Sequence, residues 1–256
     1  MPLQVGIVLL GATISLPYAL AVSSVYLPWI SLFVIVSFVA GLMLGKLLGI
    51  HHRVAFLLSS GAAICGGTAM AAVAPIIKAK PQELLIAMTI VFLLNAAAII
   101  IFPIMGNYLA MNNFEFGAWS ALAIHDTSSV IGSALIFSNE SAQVAATLKL
   151  GRTIWLIPLI LIANWMFNKQ TQVTKFPRFI LFFILAIICN TLFAFNEQAI
   201  NLLQISSQAF LLFGLFCIGS QFDSIELKSI SGKPLILALM LWAIVIPSAY
   251  FLVKYF

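Results

Sequence analysis

Nine apolar runs follow one another along this chain with only short polar breaks, each about as long as the 20 residues a helix needs to cross a hydrocarbon core about 30 Å thick. They fall at about 3–22, 24–48, 54–77, 83–105, 114–137, 144–167, 176–195, 199–220 and 234–253. Only 7% of the 256 residues are Asp, Glu, Lys or Arg, where a soluble domain carries about 25%. Lipid is the solvent such a surface fits. The expectation is an all-α fold: a polytopic transmembrane helical bundle of about nine spans, forming a single transporter-like domain over 1–256. The first run, Leu3 to Val22, lacks a basic lead and carries Gly6, Gly11 and Pro17, so it reads as a retained span and not a signal peptide.

The formal charge of +5 does not point to nucleic acid, because the Lys and Arg residues sit between apolar runs and not along one face. They read as topology signals. If all nine runs cross, one side holds Lys46, Arg53, Lys169, Lys175, Arg178, Lys228 and Lys233, and the other holds Lys78, Lys80 and Lys254. The first set is then cytoplasmic, which puts the amino terminus inside and the carboxyl terminus outside, unless a half-crossing hairpin changes the count. Cys65, Cys189 and Cys217 lie in apolar segments with neither disulfide nor CxxC metal spacing. No nucleotide, dinucleotide or HExxH motif is present, so no cofactor is expected.

Two runs are not simple lipid-facing helices. The third holds Cys65, Gly66, Gly67 and Thr68 about 18 Å along a helix that starts at Val54. A Gly-Gly pair there, with Pro75 beyond it, reads as a broken helix lining a wet cavity, with Thr68 as cap of the second half. The bland alternative is close helix packing through small residues. The fifth run holds five consecutive polar side chains, His125, Asp126, Thr127, Ser128 and Ser129, at similar depth. An Asp at that depth costs about 2.5–3.5 kcal/mol on insertion scales, so it faces a cavity or a partner. The alternative is a sealed polar knot. In the sixth run Lys149 and Arg152 are three apart and share a helix face. They offer positive charge to an oxyanion, or else snorkel to the headgroups. Asn95, Asn164, Asn190 and Gln208 read as interhelical hydrogen-bonding residues.

Two internal echoes occur, Ala63–Thr68 (AICGGT) with Ala123–Ser128 (AIHDTS), and Val5–Leu16 with Phe213–Ser224. With nine crossings the second pair runs in opposite directions, as inverted repeats require, and the first pair does not.

The stretches GAAICGGTAMAAVAPIIKAK (61–80), AIHDTSSV (123–130), AATLKLGRTIWLIPL (145–159) and VGIVLLGATISL (5–16), in this order and spacing, resemble the YeiH family, whose members are named as sulfate exporters. The resemblance implies a multi-pass protein of the bacterial inner membrane, of the cation/proton antiporter and bile-acid symporter superfamily, with broken helices crossing near the midplane. It also implies sulfate as the substrate. The chain departs from the family pattern in reading CGGTA where CGASA is usual and in lacking about two spans before Val5.

The expectation is therefore a secondary-active carrier of a small anion such as sulfate, coupled to a proton or cation. Its site would comprise Cys65 to Thr68, His125 to Ser129, Lys149 and Arg152. Half-helix amino termini near Thr68 and Ser128 would face the anion, and Asp126 with His125 would carry the proton. Partners are the bilayer and the anion, with a second copy of the chain as a further candidate. The alternative is a non-transporting scaffold or shortened family member that needs a partner subunit. An enzyme is not expected, since adjacent helical residues such as His125 and Asp126 point about 100° apart and no nucleophile or metal-ligand set converges.

Overall fold

The computed structural model describes residues 2–167, 178–193, 195–219 and 232–255. Lys169, Lys175 and Lys228, and residues 220–224 of the second echo, lie outside the described residues. Every regular element among the described residues is an α-helix. Among the described residues, four stretches are long and apolar enough to cross a membrane: Tyr26–Leu47, Pro81–Tyr108, Asn139–Phe167 and Gly232–Tyr255.

The amino-terminal region departs from the expected spans. Helix α1 (Pro2–Gly11) ends well before residue 22, and α2 (Leu16–Leu47) starts with Pro17 in its first turn and runs straight through the expected break near residue 23. Ala21-Val-Ser-Ser-Val carries neither Gly nor Pro, and the helix continues through it.

The third and fifth runs are not crossing spans. Each is a helical hairpin that returns to the end of the molecule it came from. In the first, α3 (His52–Ala63) has 12 residues, about 18 Å, and α4 (Gly67–Val73) has 7. A Cβ at Gly61 of α3 would lie 3.2 Å from both Cγ and Sδ of Met70 in α4, so the two helices lie side by side. The return is completed at the base, where His51 Nδ1, before α3, stands 3.2 Å from the Glu83 carboxylate in the first turn of α5 (Pro81–Tyr108). Nine residues lie between Val73 and Glu83, and they are taken up by turns and the start of α5. They cannot also climb back across a bilayer.

The second hairpin joins α6 (Asn113–Ala123) to α7 (Thr127–Phe137), each 11 residues or about 16 Å long. Asn113 Nδ2 donates to the Glu140 carboxylate at 2.9 Å, Ser141 Oγ donates to the Asn113 carbonyl at 2.7 Å, and the Phe116 and Phe137 rings stack with centroids 4.1 Å apart. The base is closed by caps: Asn112 Oδ1 accepts the Glu115 amide at 2.8 Å, and Ser138 Oγ accepts the Ser141 amide at 3.0 Å.

Helix α5, 28 residues long, joins the base of the first hairpin to the base of the second, so the two enter from opposite ends. The return leg is α8 (Asn139–Thr153) with α9 (Leu156–Phe167), whose last residue brings its ring to 5.8 Å from His52. The carboxy-terminal helix α12 (Gly232–Tyr255) runs from Lys233, near Gly49, to Lys254, which pairs with Glu115 at 2.9 Å. One end of the bundle thus gathers Lys46, Arg53, Lys78, Lys80 and Lys233, and the other has Glu115, Glu140 and Lys254. The assignment of Lys78 and Lys80 to the side opposite Arg53 is corrected: a hairpin brings the chain back where a span would not.

The main core packs α2, both hairpins, α5, α8, α9 and α12. In α2, Gly45 lets Ala55 of α3 approach so closely that a Cβ would stand 2.6 Å from the Ala55 methyl. A smaller cluster, including Ile7, Ile131, Leu150, Phe183 and Leu211, joins α1, α10 (Arg178–Phe193) and α11 (Glu197–Gly219) to the second hairpin.

Candidate functional site

The two hairpins end in three-residue tips, Ile64-Cys65-Gly66 and Ile124-His125-Asp126, and these tips touch. Half-helices of about 16–18 Å entering from opposite ends of a bundle sized to a 30 Å hydrocarbon core meet near its middle. Gly66 turns the first tip with φ 57° and ψ −124°. A Cβ on it would lie 3.2 Å from both Cα and Cβ of Asp126, so the contact is backbone against backbone. The helix is broken as the Gly-Gly pair suggests, but Gly66 and not Thr68 holds the cap position, and no side chain caps α4. The halves also meet tip to tip within antiparallel hairpins and do not cross as collinear broken helices.

Asp126 is the N-cap of α7. Its Oδ2 accepts the Ser128 amide at 3.0 Å and the Ser129 amide at 3.3 Å, and takes a short hydrogen bond from the Ser128 hydroxyl. The amides expected to face an anion at Ser128 are therefore held by the chain's own carboxylate. His125 Nδ1 stands 3.2 Å from the Ala62 carbonyl, an acceptor only, so that nitrogen carries the proton.

Lys149 and Arg152 are fully buried in α8 and do not snorkel. Their targets are carbonyls. Arg152 donates from Nε to Ala63 O at 2.7 Å, from Nη2 to Ala62 O at 2.8 Å, and from Nη1 to Leu122 O at 2.8 Å and Ala121 O at 3.2 Å. Lys149 Nζ donates to Ile124 O at 2.7 Å and Ala121 O at 3.4 Å. A helix leaves its last carbonyls unpaired and carries partial negative charge there. Both incoming half-helices, α3 and α6, end at the tips, and one guanidinium serves both ends. The phenyl of Phe33 lies 5.5 Å from the guanidinium carbon.

All the residues expected from sequence thus meet at one junction, divided by exposure. Cys65, Gly66, Gly67, His125, Lys149 and Arg152 are sealed; Thr127, Ser128 and Ser129 are nearly so; Thr68 and Asp126 are partly exposed. Asn95 of α5, read from the sequence as an interhelical hydrogen-bonding residue, joins them: its Oδ1 accepts the His125 amide at 3.3 Å. The hairpin-and-helix order repeats, and in each repeat the long helix that follows one hairpin holds the tip of the other: Asn95 serves the second, Arg152 the first.

That repeat reverses one earlier judgement. The tips are the echoed segments AICGGT and AIHDTS, with α3 and α6 ending at Ala63 and Ala123 and α4 and α7 beginning at Gly67 and Thr127. Because the hairpins enter from opposite ends, this pair does run in opposite directions, as an inverted repeat requires.

Residues 1–238 match the family described as conserved hypothetical protein 698. The chain belongs to this family. Similar relatives are UPF0324 membrane proteins: one from Bacteroides thetaiotaomicron is 38% identical over 249 residues, covering 95% of this chain and 74% of the relative. One from Vibrio vulnificus is 39% identical over 249 residues (95% and 80%), and one from Porphyromonas gingivalis 40% over 222 residues (84% and 67%). No solved structure matches the chain. Membership of the conserved hypothetical protein 698 family, with the several apolar helices, makes this a multi-pass integral membrane protein.

Proposed function

We propose that the chain is a secondary-active carrier of a small oxyanion such as sulfate, coupled to a proton, with its site at the meeting of the hairpin tips. The observation that carries this reading is the pair of helical hairpins from opposite ends whose tips touch, with Asp126 partly exposed between them. Unwound backbone and an ionisable group at mid-depth are costly in lipid, and carriers use both to build a site reached alternately from either side.

The chemistry follows from the cap. With Asp126 ionised, its carboxylate holds the Ser128 and Ser129 amides. Protonation weakens that hold, and the N-terminus of α7 then accepts a substrate anion in its place, beside the fixed charges of Lys149 and Arg152. Those two side chains set the local potential while their donors stay on the tip carbonyls. Proton and anion bind together and move in the same direction, and an outward anion gradient drives export. Sulfate comes from the resemblance to the YeiH family. The end bearing Lys46, Arg53, Lys78, Lys80 and Lys233 faces the cytoplasm by the positive-inside rule, in the inner membrane of a bacterium.

Counterflow of labelled sulfate in proteoliposomes tests this. Wild type is expected to exchange sulfate and to concentrate it under an imposed pH gradient. Asp126→Asn keeps a capping side chain without the titratable proton, so exchange should persist while pH-driven accumulation is lost. No exchange of sulfate, sulfite, thiosulfate or a small sulfonate would sink the proposal.

A further inference from the structure

We infer that Asn95 is a direct ligand of the transported oxyanion, donating from Nδ2 to an anion oxygen held at the N-terminus of α7. The inference rests on the carrier reading and names a residue that reading does not use. Its basis is one unsatisfied buried donor at the junction. Asn95 Oδ1 takes the His125 amide, and a backbone N–H can only donate, so the amide group cannot be turned around. Nδ2 therefore points its two N–H donors elsewhere. It is buried in a residue only 1% exposed, and it has no hydrogen-bond partner among the described residues.

The carbonyls of Ala62, Ala63, Ala121, Leu122 and Ile124 already receive Arg152, Lys149 and His125, and Asp126 Oδ2 receives the serine amides. A buried donor is rarely left unpaired, least of all in lipid. An oxyanion brings several acceptors. Asn95 Oδ1 lies 3.3 Å from the amide two residues before Thr127, the first residue of α7. Nδ2 is bonded to the same carbon as Oδ1 and so lies beside the tip that leads into α7. Arg152, in the corresponding place for the other tip, has its donors on carbonyls; Asn95 keeps one half of its amide for the substrate.

The test measures sulfate binding to purified protein by calorimetry and by ligand-dependent thermal shift. Asn95→Leu, uncharged and of similar size, removes the donor together with the acceptor of the His125 amide, and is expected to weaken sulfate binding by roughly tenfold or more, the size of one lost hydrogen bond. Asn95→Ser, whose hydroxyl accepts and donates at shorter reach, should fall between Asn95→Leu and wild type, and decides the matter if Asn95→Leu does not fold. A folded variant that binds sulfate as wild type does overturns the role of Asn95 and leaves the carrier intact. A wild type that binds neither sulfate nor any related oxyanion overturns both.

Discussion

At the scale of the residue, Arg152 holds the junction together. Its guanidinium bonds the last carbonyls of two half-helices that arrive from opposite ends, a geometry the planar fork of arginine permits and a single ammonium does not. Arg152→Gln should lower the unfolding free energy in detergent by about 3 kcal/mol, since hydrogen bonds from a charged donor contribute about 1.5–3 kcal/mol each. Arg152→Lys should recover only part of that loss. Equal melting of all three proteins would show that the fork is dispensable. That Lys149 and Arg152 share a helix face was legible from their spacing, and so was the cost of Asp126 at depth. What they bind was not: every residue carries a carbonyl, so nothing in the sequence marks Ala62 or Leu122 as a partner. Asn95 was legible as an interhelical hydrogen-bonding residue, but its partner, the His125 amide, was not, for the same reason.

At the scale of the element, the question is what a run such as Val54 to Ile77 becomes. Twenty-odd apolar residues suffice for one crossing or for two half-crossings joined by a tip, and hydropathy does not distinguish them. The tip does. Gly66 adopts a φ of 57° with ψ −124°, a conformation close to glycine's preserve, and its α-carbon abuts Asp126. Gly66→Ala should therefore cost about 1–3 kcal/mol in stability and reduce exchange more than Gly67→Ala, where the added methyl meets the outer edge of the Phe92 ring at 2.9 Å. Comparison of detergent melting and counterflow for the two variants checks this; a milder effect at Gly66 would refute the tip geometry. In hindsight two signals were readable: the echo of AICGGT in AIHDTS marks equivalent tips, and basic residues flank the third run on both sides, at Arg53 and at Lys78 and Lys80. Two flanks of one sign are what a hairpin leaves behind.

At the scale of the whole molecule, topology is the property that separates hairpins from spans. With half-crossing hairpins, residues before α3 and after α4 lie on one face, and those between α5 and α6 lie on the other. In a variant with Cys65, Cys189 and Cys217 replaced by Ser, single cysteines introduced by His51→Cys and Ala79→Cys should react with a membrane-impermeant maleimide from the same side, and one from Asn112→Cys from the opposite side. Labelling of positions 51 and 79 from opposite sides would restore the nine-span topology. The sequence by itself determined the solvent, the helical class and the depth of the polar segments, because these follow from local composition and from the 1.5 Å rise of a helix. Only the tertiary structure decided that two runs fold back on themselves, that their tips meet, and that the buried cations serve the ends of helices. Those outcomes depend on which donors and acceptors are brought together across 30 to 90 residues of chain, and periodicity along a chain carries no record of such pairings.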